Sequence, residues 1–231
     1  MLDERKVPKN LGIVADGNGR WAQSRGLSRS QGHTAGMKNI LSLLDCIFDL
    51  GTENVVCYAL STENLNRNKN EVDHILQMVF EYYTPFLEVC AKNEICVKFV
   101  GNLELFSKEV RASLNKTEEA LSKFKDAKRT FYLALAYGGR SEIVNAVNAA
   151  IKRGTPVTEE SFLHSLQFPF DLVLIVRTGG RQRLSNFFLY QASYAELYFS
   201  DKYFPDLNKD DLTEIYDWYA KTDRTFGVTE R

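Results

Sequence analysis

A single α/β domain, built on a central, mostly parallel six-stranded sheet flanked by helices, is the architecture this 231-residue sequence predicts. Three observations carry that expectation. Six short runs of β-branched and aromatic residues alternate with segments of helical periodicity. Those runs are continuously apolar rather than alternating, as in strands covered on both faces. No Pro/Gly/Ser-rich linker, low-complexity block or internal repeat divides the chain, so residues 1–231 read as one unit.

The strand candidates in order are 11–15 (LGIVA), 54–60 (NVVCYAL), 95–100 (ICVKFV), 130–136 (TFYLALA), 171–176 (DLVLIV) and 196–199 (ELYF). Strands alternating with helices call for parallel pairing through right-handed crossovers. Ligands of such sheets bind beyond the carboxyl ends of the strands. Between the first two strands, Met37, Ile40, Leu41, Leu44, Ile47 and Phe48 fall on one helical face. The segment 72–90 is more apolar than one amphipathic face requires, and Pro85 bends or splits it. It reads either as a plain buried helix or as one lining a hydrophobic tunnel.

Composition narrows the function. With 44% hydrophobic residues, 26% charged and a net charge of −1, the chain lacks a broad nucleic-acid footprint. Its opening MLDERKVPKN has no signal-peptide core, and no apolar run approaches the roughly 20 residues that span a bilayer. The cysteines at 46, 57, 90 and 96 form no CxxC and have no neighbouring histidine, which points to free thiols in a reducing cytoplasm rather than a zinc site.

Polar clusters follow three of the strands. The first, VADGNGRWAQSRGLSRSQGHTAG (14–36), joins a glycine turn to Asp16, Asn18, Arg20, Arg25, Arg29 and His33. GNGRWA satisfies a loose dinucleotide pattern, G-x-G-x-x-A. Asp16 opposes that reading, because it would repel an unscreened pyrophosphate and no acid follows at the end of a second strand. A carboxylate beside a phosphate cradle fits Mg²⁺ lying between them; the local alternative is that Asp16 caps the next helix. The second cluster, LSTENLNRNKNE (60–71), supplies Ser61, Glu63, Asn64 and Arg67, with helix capping by Ser61 or Thr62 as its local alternative. The third, RTGGRQRLSNFFLYQASYAEL (177–197), supplies Arg177, Arg181, Arg183, Ser185 and Asn186 for a second diphosphate, and Glu196 as a second metal carboxylate. Converging at one sheet edge, the three describe an enzyme acting on diphosphates with Mg²⁺ beside an apolar tunnel.

DGNGRWA with GHTAG, YALSTEN, AYGGR (136–140), RTGG with RLSNFFLYQ, and YAELYF resemble, in order and spacing, the motifs of the cis-prenyltransferases, the family of undecaprenyl diphosphate synthase. The resemblance runs from about residue 8 to RTFG (224–227). It implies a homodimeric, Mg²⁺-dependent transferase that condenses isopentenyl diphosphate with an allylic diphosphate such as farnesyl diphosphate. The product would be a Z-polyprenyl diphosphate, undecaprenyl-like by default. Carried over position by position, Asp16 would ligate Mg²⁺, with Glu196 completing the metal environment across a dimer interface. Gly17, Asn18, Gly19, Arg20, Arg29 and His33 would hold the allylic diphosphate, Arg177, Arg183 and Ser185 the isopentenyl diphosphate, and Trp21 and Arg67 join the substrate-binding set. Ser61, Glu63 and Asn64 belong to the segment the family closes over substrate, and Asn18 and His33 are candidates for moving the proton. The resemblance also implies a cytoplasmic protein in transient contact with a membrane surface.

Departures from the family pattern are Ala15 for Met, Leu60 for Phe, Leu65 for Trp, Ala136 for Asn, and Arg181 for the acid of RTGGExR. They leave open a short-chain or irregular-coupling synthase of the same fold. A non-catalytic partner subunit is the reading from another class, and it predicts loss of the Asp and Arg set that this chain retains.

Overall fold

The structure, a computed structural model, describes residues 6–66 and 69–223. Its strands are β1 (Asn10–Val14), β2 (Asn54–Ser61), β3 (Cys96–Val100), β4 (Thr130–Tyr137), β5 (Leu174–Arg177) and β6 (Glu196–Phe199). They pair in the order β3-β4-β2-β1-β5-β6, and every pairing is parallel. All six sequence candidates are strands. The fifth starts three residues later than its apolar run, because Leu172 donates its N–H to the Gln191 carbonyl of a following loop.

The helices are α1 (Asn18–Gln23), α2 (Arg29–Asp49), α3 (Lys69–Glu81), α4 (Tyr83–Lys92), α5 (Lys108–Leu121), α6 (Gly139–Arg153), α7 (Glu159–Leu163) and α8 (Lys209–Ala220). Helix α2 opens on a capping box between Ser28 and Gln31 and buries Ile40, Leu41, Leu44, Ile47 and Phe48, the face its periodicity foretells. The apolar segment 72–90 is divided between α3 and α4 at Tyr82. Pro85 lies in the first turn of α4, where its missing N–H costs no helical bond.

The two faces of the sheet carry separate cores. One packs β-strand residues such as Leu11, Val55 and Leu133 against α2, α4, α5 and α8. The other packs Tyr58, Tyr132 and Tyr137 against Phe168, Phe187 and Phe188. The outer edge of β3 is blunted where Glu118 accepts the Phe99 N–H at 2.6 Å. Between β2 and β4 the register slips twice, leaving Ala59 extra on one strand and Ala136 extra on the other. Ala136 takes a positive φ of 49° there.

The thiols of Cys57 and Cys90 are free, buried and pushed up to about 12 by that burial, so they act as core side chains.

Candidate active site

Because β1 lies between β2 and β5, residues 161 positions apart meet at one sheet edge. Val14 at the end of β1 stands beside Tyr58 on one side and Arg177 on the other. Asp16, two residues on, accepts from Arg177 Nη2 at 2.8 Å and from Arg20 Nη2 at 3.1 Å, one guanidinium to each carboxylate oxygen. Burial alone would raise its pKa; Arg177 and Arg20 outweigh that and hold it below the ordinary value. Asp16 does not cap α1. That position belongs to Gly17, whose φ of 104° and contact with Tyr203, 2.6 Å from where a Cβ would lie, admit only glycine.

Helix α2 crosses directly over the start of α1. A Cβ on Gly32 would meet the Asn18 carbonyl oxygen at 2.1 Å, so the small residue of GHTAG permits the crossing. The crossing brings Arg29 and His33 to the cleft. Both are held by Glu71 in the first turn of α3: Arg29 forks onto its two oxygens at 3.1 and 3.3 Å, and His33 Nε2 lies 2.9 Å from Oε1. Glu71 was not singled out from sequence. Its only sequence signal is that it ends the polar cluster following β2.

At the end of β2, Ser61 Oγ accepts the Asn64 N–H at 3.1 Å, so the local capping role expected of it is present. Glu63, in the same 3₁₀ turn (Glu63–Asn66), accepts from Asn186 Nδ2 at 2.9 Å and Thr62 Oγ1 at 3.1 Å. Burial would raise the Glu63 pKa, but hydrogen bonds from its own backbone, Asn186, Ser61 and Thr62 hold it low. Across the cleft, buried Arg177 donates to Ser185 Oγ at 2.7 Å and to the Arg183 carbonyl. Ser185, Asn186 and Phe188 all adopt positive φ without being glycine, a strained stretch of the kind found at functional sites.

These groups line one polar cleft of about 390 Å³, walled by Asp16, Gly17, Asn18, Gly19, Arg20, Arg29, His33, Ser61, Asn64, Arg177, Arg183 and Ser185. An apolar cavity of about 60 Å³ opens beside it and shares Ala15, Asn18, His33, Tyr58 and Ala59 with it. A further pocket of about 30 Å³ continues past Met37, Ile40, Met78 and Leu133 to Tyr82, Phe86, Phe99 and Phe131.

Other sequence-selected residues lie elsewhere. Trp21 is not in the cleft wall: its indole N–H donates to Asp206 at 2.7 Å and Arg25 lies over its ring. Asn186 is occupied with Glu63 and with the Arg140 N–H at 2.9 Å rather than facing the cleft. Arg181 is exposed and outside the lining. Leu60 and Leu65 pack on the core. Glu196 opens β6 opposite Leu174, whereas Arg177 pairs with Phe199. Three residues at about 3.3 Å each put Glu196 roughly 10 Å towards the amino edge of the sheet. Within one chain it does not join Asp16. Arg67 lies outside the described residues. Among the described residues no three His, Cys, Asp or Glu side chains form a metal-binding group.

Comparison with known proteins agrees with this geometry. A family model described as "Putative undecaprenyl diphosphate synthase" matches residues 14–227. An isoprenyl transferase of Rickettsia felis is 40% identical over 222 residues, covering 95% of this chain and 94% of that protein. One from Fusobacterium nucleatum is 38% identical, covering 97% of each. Lavandulyl diphosphate synthase from Lavandula x intermedia, solved in complex with dimethylallyl diphosphate, superposes with a TM-score of 0.90 at 31% identity, covering 96% of this chain and 99% of that one. A structure described as a probable undecaprenyl diphosphate synthase from Campylobacter jejuni gives 0.81 at 32% identity, covering 95% and 98%.

Proposed function

The chain belongs to the cis-prenyltransferase family, that of undecaprenyl diphosphate synthase, and is a prenyl-transferring enzyme; on that premise we propose that it condenses isopentenyl diphosphate with an allylic diphosphate, in an Mg²⁺-dependent reaction, to a Z-polyprenyl diphosphate. The observation that carries this reading is the continuity of an arginine-lined cleft with an apolar cavity. One end suits two diphosphates and the other a hydrocarbon chain.

In the reaction the allylic C–O bond breaks and its electron pair leaves with the diphosphate. The isopentenyl double bond forms the new C–C bond, and a proton departs from its C2. Arg20, Arg29 and His33, with the N–H groups at the start of α1, would stabilise the negative charge gathering on the leaving group. Arg177, Arg183 and Ser185 would anchor the second diphosphate and hold the alkene in line. The departing diphosphate, Asn18 and His33 are the candidate proton acceptors. Arg177 and Arg20 keep Asp16 ionised. A lone carboxylate facing a phosphate site suits Mg²⁺, which draws its other ligands from substrate oxygens and water. Asp16 would hold it, and when bound the ion offsets charge on the diphosphates.

Incubation with MgCl₂, farnesyl or dimethylallyl diphosphate and labelled isopentenyl diphosphate, followed by sizing of the products, tests the reading. Incorporation that Asp16→Ala abolishes is expected, in a variant that still unfolds cooperatively although at a lower temperature, because buried Arg177 loses its ion-pair partner. No incorporation with any allylic primer overturns it.

A short-chain or irregular-coupling product is the second reading. Its support is the likeness to lavandulyl diphosphate synthase and the Tyr82, Phe86, Phe99 and Phe131 side chains at the end of the apolar pockets. The same incubation separates the two by product length.

Assembly as a homodimer is supported by the exposed Val144, Val147 and Ile151 on one face of α6, with Tyr194 and Leu197 exposed near the open edge at β6. In that arrangement Glu196 would act across the interface, and light scattering tests the mass. No helix among the described residues is long and apolar enough to cross a membrane. The reading places the enzyme in the cytoplasm, meeting the membrane surface only to hand over its lipid.

A further inference from the structure

Asn186 directly follows Ser185 of the cleft wall, yet its own side chain does not face the cleft. Its Nδ2 donates to Glu63 Oε1 at 2.9 Å, its Oδ1 accepts the Arg140 N–H at 2.9 Å, and its carbonyl accepts the Gly139 N–H at 2.7 Å. Every one of these partners is fixed to something else. Gly139 and Arg140 begin α6, a 15-residue helix continuous with β4 through Gly138. Glu63 begins the 3₁₀ turn that carries Asn64, and Asn64 is tied back to Ser61. Ser185 binds Arg177, which in turn binds Asp16.

We propose that Asn186 is a positioning residue: its amide clamps Glu63 and so holds the Ser61–Asn64 wall of the cleft against the Ser185 wall. The inference rests on the prenyltransferase reading above. The backbone supports it. Asn186 keeps a φ of 64°, a conformation asparagine tolerates better than most residues, and its neighbour Ser185 is held at 53°. This pair of left-handed residues sends successive side chains to opposite duties, Ser185 into the cleft and Asn186 onto Glu63. The donors around the Glu63 carboxylate are all neutral, and Asn186 alone among them comes from the opposite wall. Without it, nothing on the 177–188 loop holds the turn by its side chain among the hydrogen bonds of the described residues.

Asn186→Asp separates positioning from mere support of α6. Aspartate keeps the size, tolerates the same φ and still accepts the Arg140 N–H, but it faces Glu63 with a second carboxylate. The expected result is a loss of roughly 10- to 100-fold in kcat/KM for isopentenyl diphosphate, with farnesyl diphosphate and Mg²⁺ saturating and the melting temperature little changed. In a Glu63→Gln background the same substitution is expected to cost less than about twofold, because the introduced glutamine amide donates to the introduced aspartate. In case the aspartate variant does not fold, Asn186→Gly, which keeps the backbone and removes the amide, is compared in the unaltered and Glu63→Ala backgrounds, and its cost is expected to be clearly smaller once the Glu63 carboxylate is absent. An equal loss in both backgrounds, or no loss in either, overturns the proposal. Failure of the unaltered protein to incorporate isopentenyl diphosphate is a separate result that overturns the functional reading and this inference together.

Discussion

On one face of the sheet, Tyr137 stacks on Phe188 at 4.1 Å, Phe187 meets Phe188 edge-on at 4.8 Å, and Tyr58 lies 5.0 Å from Phe187. On the other, the strands meet α2 and α3 across Ala15, Gly36, Met37, Ala59 and Met78, and a cavity remains. The strands are the same; the side chains alternate between the two faces. The aromatic face supports the strained 185–188 stretch, which needs an unyielding floor to keep non-glycine residues at positive φ. The cavity face uses small and flexible side chains, which give up packing to leave room. Rigidity under the polar cleft and space beside it are thus divided between the two sides of one sheet.

The largest expected effect breaks the aromatic side. Phe188→Ala removes a fully buried ring from that stack and should cost about 3–5 kcal/mol, read from urea unfolding. Activity should fall with it as the 185–188 stretch relaxes. Tyr137→Phe is milder. It deletes a hydroxyl that donates at 2.5 Å to buried Glu142, leaving that carboxylate with the Gln191 amide and the Gln167 N–H, and should cost about 1–3 kcal/mol.

The cavity side should respond in the opposite manner. Ala59→Phe puts a ring into the mouth shared by cleft and cavity, so stability should fall by no more than about 1–3 kcal/mol while products shorten, as chromatography of the labelled prenyl products would show. A stability loss as large as that of Phe188→Ala would erase the distinction between the faces.

Smaller effects sharpen it. Ala136 holds φ 49°, which an alanine adopts at a cost, and it borders a polar pocket of about 80 Å³ lined by Asn102, Ser141 and Asn145. Ala136→Asn should therefore stabilise by about 0.5–1 kcal/mol in thermal or urea unfolding. The pH dependence follows from Asp16, whose folded pKa lies below its ordinary value of 3.8. A depressed carboxyl adds stability above that value and loses it as pH falls through the folded pKa. The urea midpoint should thus be nearly flat from pH 7 to about 5 and decline below about 4, with a shallower decline in Asp16→Asn.

Much of the fold was legible because its signals are local. Continuous apolar runs marked all six strands and their parallel pairing, and the 3.6-residue repeat marked the buried face of α2. Asp16, Arg177, Arg183 and Ser185 were legible as lining one cleft because each follows a strand closely, and strand ends in a parallel sheet share one edge. Trp21 and Asn186 were misjudged for a common reason: a sequence gives a side chain's place along the chain, not its direction. Trp21 sits on the side of α1 that meets Asp206, and Asn186, with its left-handed backbone, turns from the cleft onto Glu63 and the start of α6. Glu71 was missed because its partners lie 42 and 38 residues away on another helix.

By itself, then, the sequence determined the element types, the parallel architecture and much of the polar lining of the cleft, since these depend on periodicity and on residues within a few positions of a strand end. The tertiary structure decided which strands adjoin, how the β5–β6 register sets Glu196 apart from Asp16, and which acid restrains Arg29 and His33. Those outcomes are set by pairing register and side-chain direction across long stretches of chain, where many arrangements satisfy the local pattern and packing selects one.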